Sequence, residues 1–132
     1  MTAKEKLEQL SLMDLEINRK LERLGDLYAD LFRGSAVLNG MPAGERDERS
    51  FEQRMERYLL LREEINRDID LLADRKEEIR KAIDALPDER YRSAVEMFYL
   101  RGMTSEQIGK RMGYDPRHIR RFLKKALELI RL

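Results

Sequence analysis

Along the first two thirds of the chain, apolar residues recur at alternating steps of three and four. One row runs Leu7, Leu10, Asp14, Ile17, Leu21, Leu24, Tyr28 and Leu31. A second runs Phe51, Met55, Tyr58, Arg62, Ile65, Ile69, Leu72, Lys76, Ile79, Ile83 and Leu86. This spacing is the heptad seam of a coiled coil and predicts two long helices, over 2–33 and 47–86. Thr2 with Glu5 forms a capping box at the first helix start. The segment between the rows, about 33–46, breaks the pattern with Gly34, Gly40, Pro42 and Gly44. Its apolar residues Val37, Leu38 and Met41 predict that part of it packs back on a helix or orders on meeting a partner. A loop of about a dozen residues lets the two helices return antiparallel as a hairpin. Asp14, Arg62 and Lys76 fall on the seam itself. Such residues either reach out of a narrow core on long stems or fix register and oligomeric state.

Beyond Leu86-Pro87-Asp88 the pattern shortens, since the residue before a proline disfavours helix. A third helix is predicted over 88–101, burying some of Tyr91, Ala94, Val95, Phe98 and Tyr99, with Gly102 at its end. Thr104 with Gln107 makes another capping box and opens a short helix. Gly113 closes that helix, because a residue without a Cβ enters the left-handed region at little cost. Asp115 then caps a last helix, 116 to near 132, with Pro116 at its first position. Ile108, Met112, Tyr114, Ile119 and Phe122 fall where two short helices crossing steeply bury side chains, and Gly109 falls where they approach most closely. Ile119, Phe122, Leu123, Ala126, Leu127 and Ile130 give the last helix one apolar face. The expected fold is therefore all-α: a long antiparallel coiled-coil helical hairpin (1–86) followed by a tri-helical helix-turn-helix module (87–132).

Charge changes the picture at this point. The chain of 132 residues carries a net charge of only +1, and 40% of it is charged. The stretch 101–132 nevertheless holds nine Lys and Arg against three Asp and Glu, leaving 18 basic and 23 acidic residues in 1–100. A near-neutral protein with one basic end is suited to a local nucleic-acid contact. On the last helix Arg117, Arg120, Arg121 and Lys124 are placed to face a DNA groove, where Arg can pair bidentately with guanine. Lys110, Arg111 and Lys125 are candidate phosphate contacts, which position without specifying. His118, the only histidine, stands in the first turn of the same helix, as a DNA contact or an exposed capping residue.

The segment "LPDERYRSAVEMFYLRGMTSEQIGKRMGYDPRHIRRFLKKALELI" resembles region 4 of bacterial sigma factors, at Leu86, Pro87, Tyr99, Gly102, Thr104, Ile108, Gly113, Ile119, Arg120, Ala126 and Leu127. Gly109 stands in place of that family's usual Ala, Met112 of its Leu, and Asp115 of its Ser cap. The chain also resembles phage and prophage transcriptional regulators of the RinA/ArpU kind, in which a helical hairpin with a Gly-Met-Pro loop ("NGMPAG", 39–44) precedes a region-4-like module. That resemblance implies control of late phage genes through promoter DNA, with RNA polymerase as a second partner. Sigma factors also carry a promoter-melting region 2, which nothing here resembles, so a stand-alone sigma factor is not expected.

Other chemistry finds little support. The chain has no Cys, which excludes disulfides, thiolate metal sites and a Cys nucleophile. His118 has no partner residues at catalytic or metal-binding spacing, and the glycines lack the Gly-Lys-Ser/Thr ending of a phosphate loop. No enzyme, cofactor or metal is expected. No apolar run approaches the roughly 20 residues of a membrane span, and no signal peptide is visible, so a cytoplasmic protein is expected. Double-stranded DNA is the expected partner. Two alternatives stand beside a transcription regulator: a small-terminase-like phage packaging subunit, and a module that docks on RNA polymerase. The heptads are equally compatible with a hairpin closed within one chain and with a homo-oligomer.

Overall fold

A computed structural model describes residues 1–37 and 48–132. Among them the chain is all-helical, in five helices: α1 (Ala3–Val37), α2 (Glu48–Asp84), α3 (Glu89–Val95), α4 (Ser105–Met112) and α5 (Pro116–Leu129). α3 continues directly into a π-helical turn, Glu96–Leu100. α1 outlasts its predicted end at 33 by four residues. One glycine costs a helix only about 1 kcal/mol, so Gly34 does not stop it. α2 ends two residues before Leu86, where the Leu86 N–H turns back to the Ile83 carbonyl at 2.9 Å. α5 ends at Leu129 rather than near 132, with Ile130 already extended (ψ 136°). Leu38, Met41 and the Gly-Met-Pro segment 39–44 lie outside the described residues.

The chain divides into two compact units: residues 15–70, and residues 1–14 with 71–132. In the first, α1 and α2 run antiparallel as a helical hairpin. Lys20 Nζ meets Asp68 at 2.6 Å and Glu64 at 3.0 Å, and further along Tyr28 faces Tyr58 with ring centroids 5.9 Å apart. Ile17, Leu31, Leu61 and Ile65 are buried, with Leu24 and Leu27 half-buried.

The buried seam of this unit is not quite the one the spacing predicts. The row Ile17, Leu24, Leu31 and the row Tyr58, Ile65 face inward as expected. Beside them the inward positions are Lys20 and Leu27 on α1, and Leu61 and Asp68 on α2. The predicted seam residues Leu21, Tyr28 and Ile69 remain 43%, 51% and 43% exposed, and Arg62 is exposed too. Each inward row has an apolar flank on one side and a mixed flank on the other, and a helix can press only one against its partner. Here the mixed flank wins. Lys20 lays its stem in the seam and delivers its ammonium to two carboxylates on α2.

Hydrogen bonds to Asp68 and then Glu64 hold the Lys20 ammonium above its ordinary value of 10.5. Its contribution to stability is therefore complete below that pH and is lost as the pH climbs past it. A Lys20→Met variant is expected to lose less stability than wild type between neutral pH and the strongly alkaline range. Parallel denaturant titrations check this, and identical alkaline losses in the two proteins would refute it.

In the second unit Leu7, Leu10, Leu72, Ile79, Ile83 and Leu86 are buried. Here the seam follows the predicted spacing except at Asp14, which is exposed. The core continues through Ala94, Val95, Ile108, Ile119 and Ala126, each essentially inaccessible to solvent.

Candidate nucleic-acid interface

The helix-turn-helix is built from local rules that the sequence announces. Thr104 caps α4 in a complete capping box: its hydroxyl accepts from the Gln107 N–H at 3.2 Å, and its own N–H donates to Gln107 Oε1 at 2.9 Å. Gly113 ends α4 at φ 79°, in the left-handed region. The Gly109 carbonyl accepts from both Gly113 N–H (2.8 Å) and Tyr114 N–H (2.9 Å), which folds the turn tightly onto α4. Asp115 then accepts from the Arg117 N–H at 3.0 Å with Pro116 in the first turn, and α5 begins.

α5 is sharply two-sided. Ile119, Phe122, Leu123 and Ala126 are buried. Arg117, Arg121 and Lys124 project from the opposite side, with His118 and Lys125 on one flank and Arg120 on the other; all six are exposed. Lys110 and Arg111 are exposed in the last turn of α4. Among the described residues none of these eight takes part in an ion pair. The first turn of α5 contains no acidic residue and presents Arg117 instead, although a helix N-terminus favours negative charge. That placement works against helix stability and suits an anion brought from outside.

The two flanks of α5 differ. On the His118 side lies an aromatic group. Tyr114 meets Phe122 edge-on, with centroids 5.0 Å apart and planes at 88°. Tyr91 lies 5.9 Å from Phe122, and the Arg90 guanidinium carbon is 5.2 Å from the Phe122 centroid. Tyr114 is thus a half-exposed surface residue (36%) rather than the buried one its spacing predicts. It seals Phe122 from one side only. Asp88 caps α3 through the Arg90 N–H at 2.9 Å and also grips the Arg90 guanidinium at 2.8 Å. The pairing lowers the Asp88 carboxyl and raises Arg90, each below or above its ordinary value mainly through this hydrogen bond. Arg90 thereby becomes a cationic cover on the aromatic group at the start of α5. The sequence reading missed it. The available signal was an Arg two residues after an Asp N-cap, which is weak alone.

On the Arg120 side is an open cleft of about 730 Å³. Phe98, Tyr99, Leu123 and Leu127 give it an apolar lining, and Lys4 and Glu8 of α1 lie along it with Arg120 and Lys124. Burial raises the Tyr99 hydroxyl above its ordinary value. The π turn places these two aromatics: Arg101 N–H reaches back five residues to the Glu96 carbonyl at 3.2 Å, so Phe98 and Tyr99 both stay half-buried. No group of His, Asp or Glu that could hold a metal ion occurs among the described residues, and none of the described helices is long and apolar enough to cross a membrane.

Residues 76–130 match the family described as Sigma-70, region 4. The likeness begins inside α2, ten residues before Leu86, and takes in α3, α4 and α5. The module is therefore a sigma-70 region 4-like helix-turn-helix, a fold that binds DNA in transcription proteins. No curated protein and no solved structure matches the chain.

Proposed function

We propose that the chain is a sequence-specific DNA-binding transcriptional regulator, phage or prophage encoded and acting in the cytoplasm, that reads promoter DNA with α5. The observation that carries this reading is the set of exposed cations on α4 and α5, free of ion pairs among the described residues, on a region 4-like module. Arg117, Arg121 and Lys124 face the groove, and Arg120 and His118 border it. Lys110, Arg111 and Lys125 hold phosphates. In this reading residues 87–132 form the DNA-binding domain and the hairpin 1–86 is its appended element.

The test is recovery and sequencing of genome fragments bound by the purified protein. A single enriched site upstream of an operon is the expected result, and uniform recovery without enrichment would overturn sequence specificity. Salt provides an independent check. Each phosphate neutralised contributes a slope of about −0.9 in log affinity against log salt. Replacing Lys110 and Arg111 by Ala is expected to make the slope shallower by roughly 1.8 and to weaken all sequences alike.

A second reading, docking on RNA polymerase, is supported by the likeness to region 4 and by the apolar cleft beside Tyr99. Polymerase binding that survives loss of the α5 cations would bring it forward.

A further inference from the structure

On the His118 flank of α5 one guanidinium is held more firmly than its exposure suggests. Arg90 stands in the first turn of α3, two residues after the Asp88 cap. Asp88 accepts from its Nε at 3.2 Å and its Nη2 at 2.8 Å, beside the capping bond from its backbone N–H at 2.9 Å. Three bonds to one carboxylate fix the side chain, although half of it is open to solvent. The planar fork suits this grip, which an ammonium cannot reproduce. So held, the guanidinium lies over two rings, 5.2 Å from the Phe122 centroid and 6.0 Å from that of Tyr91. The Tyr114 hydroxyl adds to the pull of Asp88, and together they raise Arg90 above its ordinary value.

These contacts join three parts of the module. Arg90 belongs to α3, Tyr114 to the turn between α4 and α5, and Phe122 to α5. The Tyr114 N–H ties the turn to α4 by donating to the Gly109 carbonyl at 2.9 Å, while its ring meets Phe122 edge-on. His118 stands between those two rings, four residues from each, with centroids 6.1 and 6.4 Å away. Arg117 and Arg121 lie in the same two turns of α5. The angle at which α5 leaves the turn therefore decides where all three side chains point. A direct hold on DNA fits Arg90 less well. Asp88 matches its charge at close range, so a phosphate approaching Arg90 meets a carboxylate too.

We infer that Arg90, braced by Asp88, is a positioning residue: it fixes the start of α5 through Tyr114 and Phe122, and preference for the DNA site depends on that hold. The inference rests on the proposal that α5 reads promoter DNA. Base contacts demand alignment, whereas phosphate contacts on long flexible stems tolerate small displacements. Loss of the brace is therefore expected to lower preference and to leave the salt slope alone.

Arg90→Met, Arg90→Lys and Asp88→Asn test it, each compared with wild type in helicity. Asn caps a helix as well as Asp does, but it cannot grip the fork with two carboxylate oxygens. Affinity is measured over a range of salt for the recovered genomic site and for a random-sequence duplex. In all three variants the ratio of the two is expected to fall by about tenfold, as for one misaligned base contact. The salt slope is expected to match wild type. A slope shallower by about 0.9 in Arg90→Met, with Arg90→Lys behaving as wild type, would make Arg90 a phosphate contact and overturn the inference. So would an unchanged ratio in the three variants. Hydrogen exchange gives a reading without DNA. The His118 amide, which donates to the Asp115 carbonyl at 2.9 Å, is expected to exchange several-fold faster in Arg90→Met and Arg90→Lys. The Ile108 amide of α4, bonded to the Thr104 carbonyl at 2.9 Å, is expected to keep its rate. A wild-type protein without site preference would remove the DNA reading, and exchange then decides alone: an unchanged His118 rate rejects the brace.

Discussion

Replacing Arg117 and Arg121 together by Glu is expected to abolish promoter binding while leaving the fold intact. The two stand four residues apart on α5, opposite its buried side, and neither has an ion-pair partner among the described residues. A bidentate contact from Arg to guanine is worth about 1–3 kcal/mol. Losing two therefore costs roughly 2–6 kcal/mol, between about 30-fold and more than 10,000-fold in affinity, before phosphate repulsion is added. Helix stability is not expected to suffer. Glu at position 117 replaces a cation in the first turn of α5 with a carboxylate, which adds to the Asp115 cap, and repulsion with cations three and four residues away is relieved. The measurement is a binding titration on the recovered site beside far-ultraviolet circular dichroism. Undiminished affinity in a helical variant would remove α5 as the reading element. Arg→Lys at the same positions refines the result: the charge remains but the planar fork is gone, so non-specific binding should persist while preference for the site declines.

Gly109→Ala is expected to destabilise the module by about 2–3 kcal/mol, in the range of tightly overpacked sites. A Cβ at Gly109 would stand 2.5 Å from the Tyr114 carbonyl oxygen and 3.6 Å from the Pro116 nitrogen. Both are backbone atoms of the turn between α4 and α5 and cannot rotate away. Relief requires the turn to move, at the expense of the two hydrogen bonds that converge on the Gly109 carbonyl. Gly25→Ala is the matched comparison. Nothing lies within 4 Å of its Cβ position, so only the gain in helix propensity of about 1 kcal/mol applies. Thermal unfolding of the two variants should shift in opposite directions. A Gly109→Ala variant as stable as wild type would mean that the turn is looser than these distances show.

Most of the module was readable because its signals are local. The Thr104 box, the Gly113 stop and the Asp115-Pro116 start each concern residues within four of one another, and backbone chemistry fixes their meaning. Gly109 was legible for the same reason, once α4 and α5 were expected to cross closely. The hairpin seam was harder. Ile17, Leu24, Ile65 and Leu72 satisfy either choice of neighbouring row, so spacing alone does not decide between Leu21 and Lys20, or between Ile69 and Asp68. The decision rests on pairing across some 44 to 48 residues, Lys20 with Glu64 and Asp68, and no count along a single helix contains that information. Arg90 escaped notice similarly. Its importance comes from Phe122, which lies more than 30 positions away in sequence and beneath it in space.

The π turn at Glu96–Leu100 has a consequence for how this chain tolerates changes of length. A π turn is an α-helix holding one residue more than its hydrogen bonding needs. A one-codon deletion there would return the segment to ordinary helix and leave Ala94 and Val95 before it, and Thr104 after it, in their present phase. The same deletion in α5 ahead of Phe122 would rotate every later side chain by about 100°, turning Lys124 toward the core and Phe122 and Ala126 toward water. Between Val95 and Arg101 the gene can thus lose a codon without erasing the face that α5 presents.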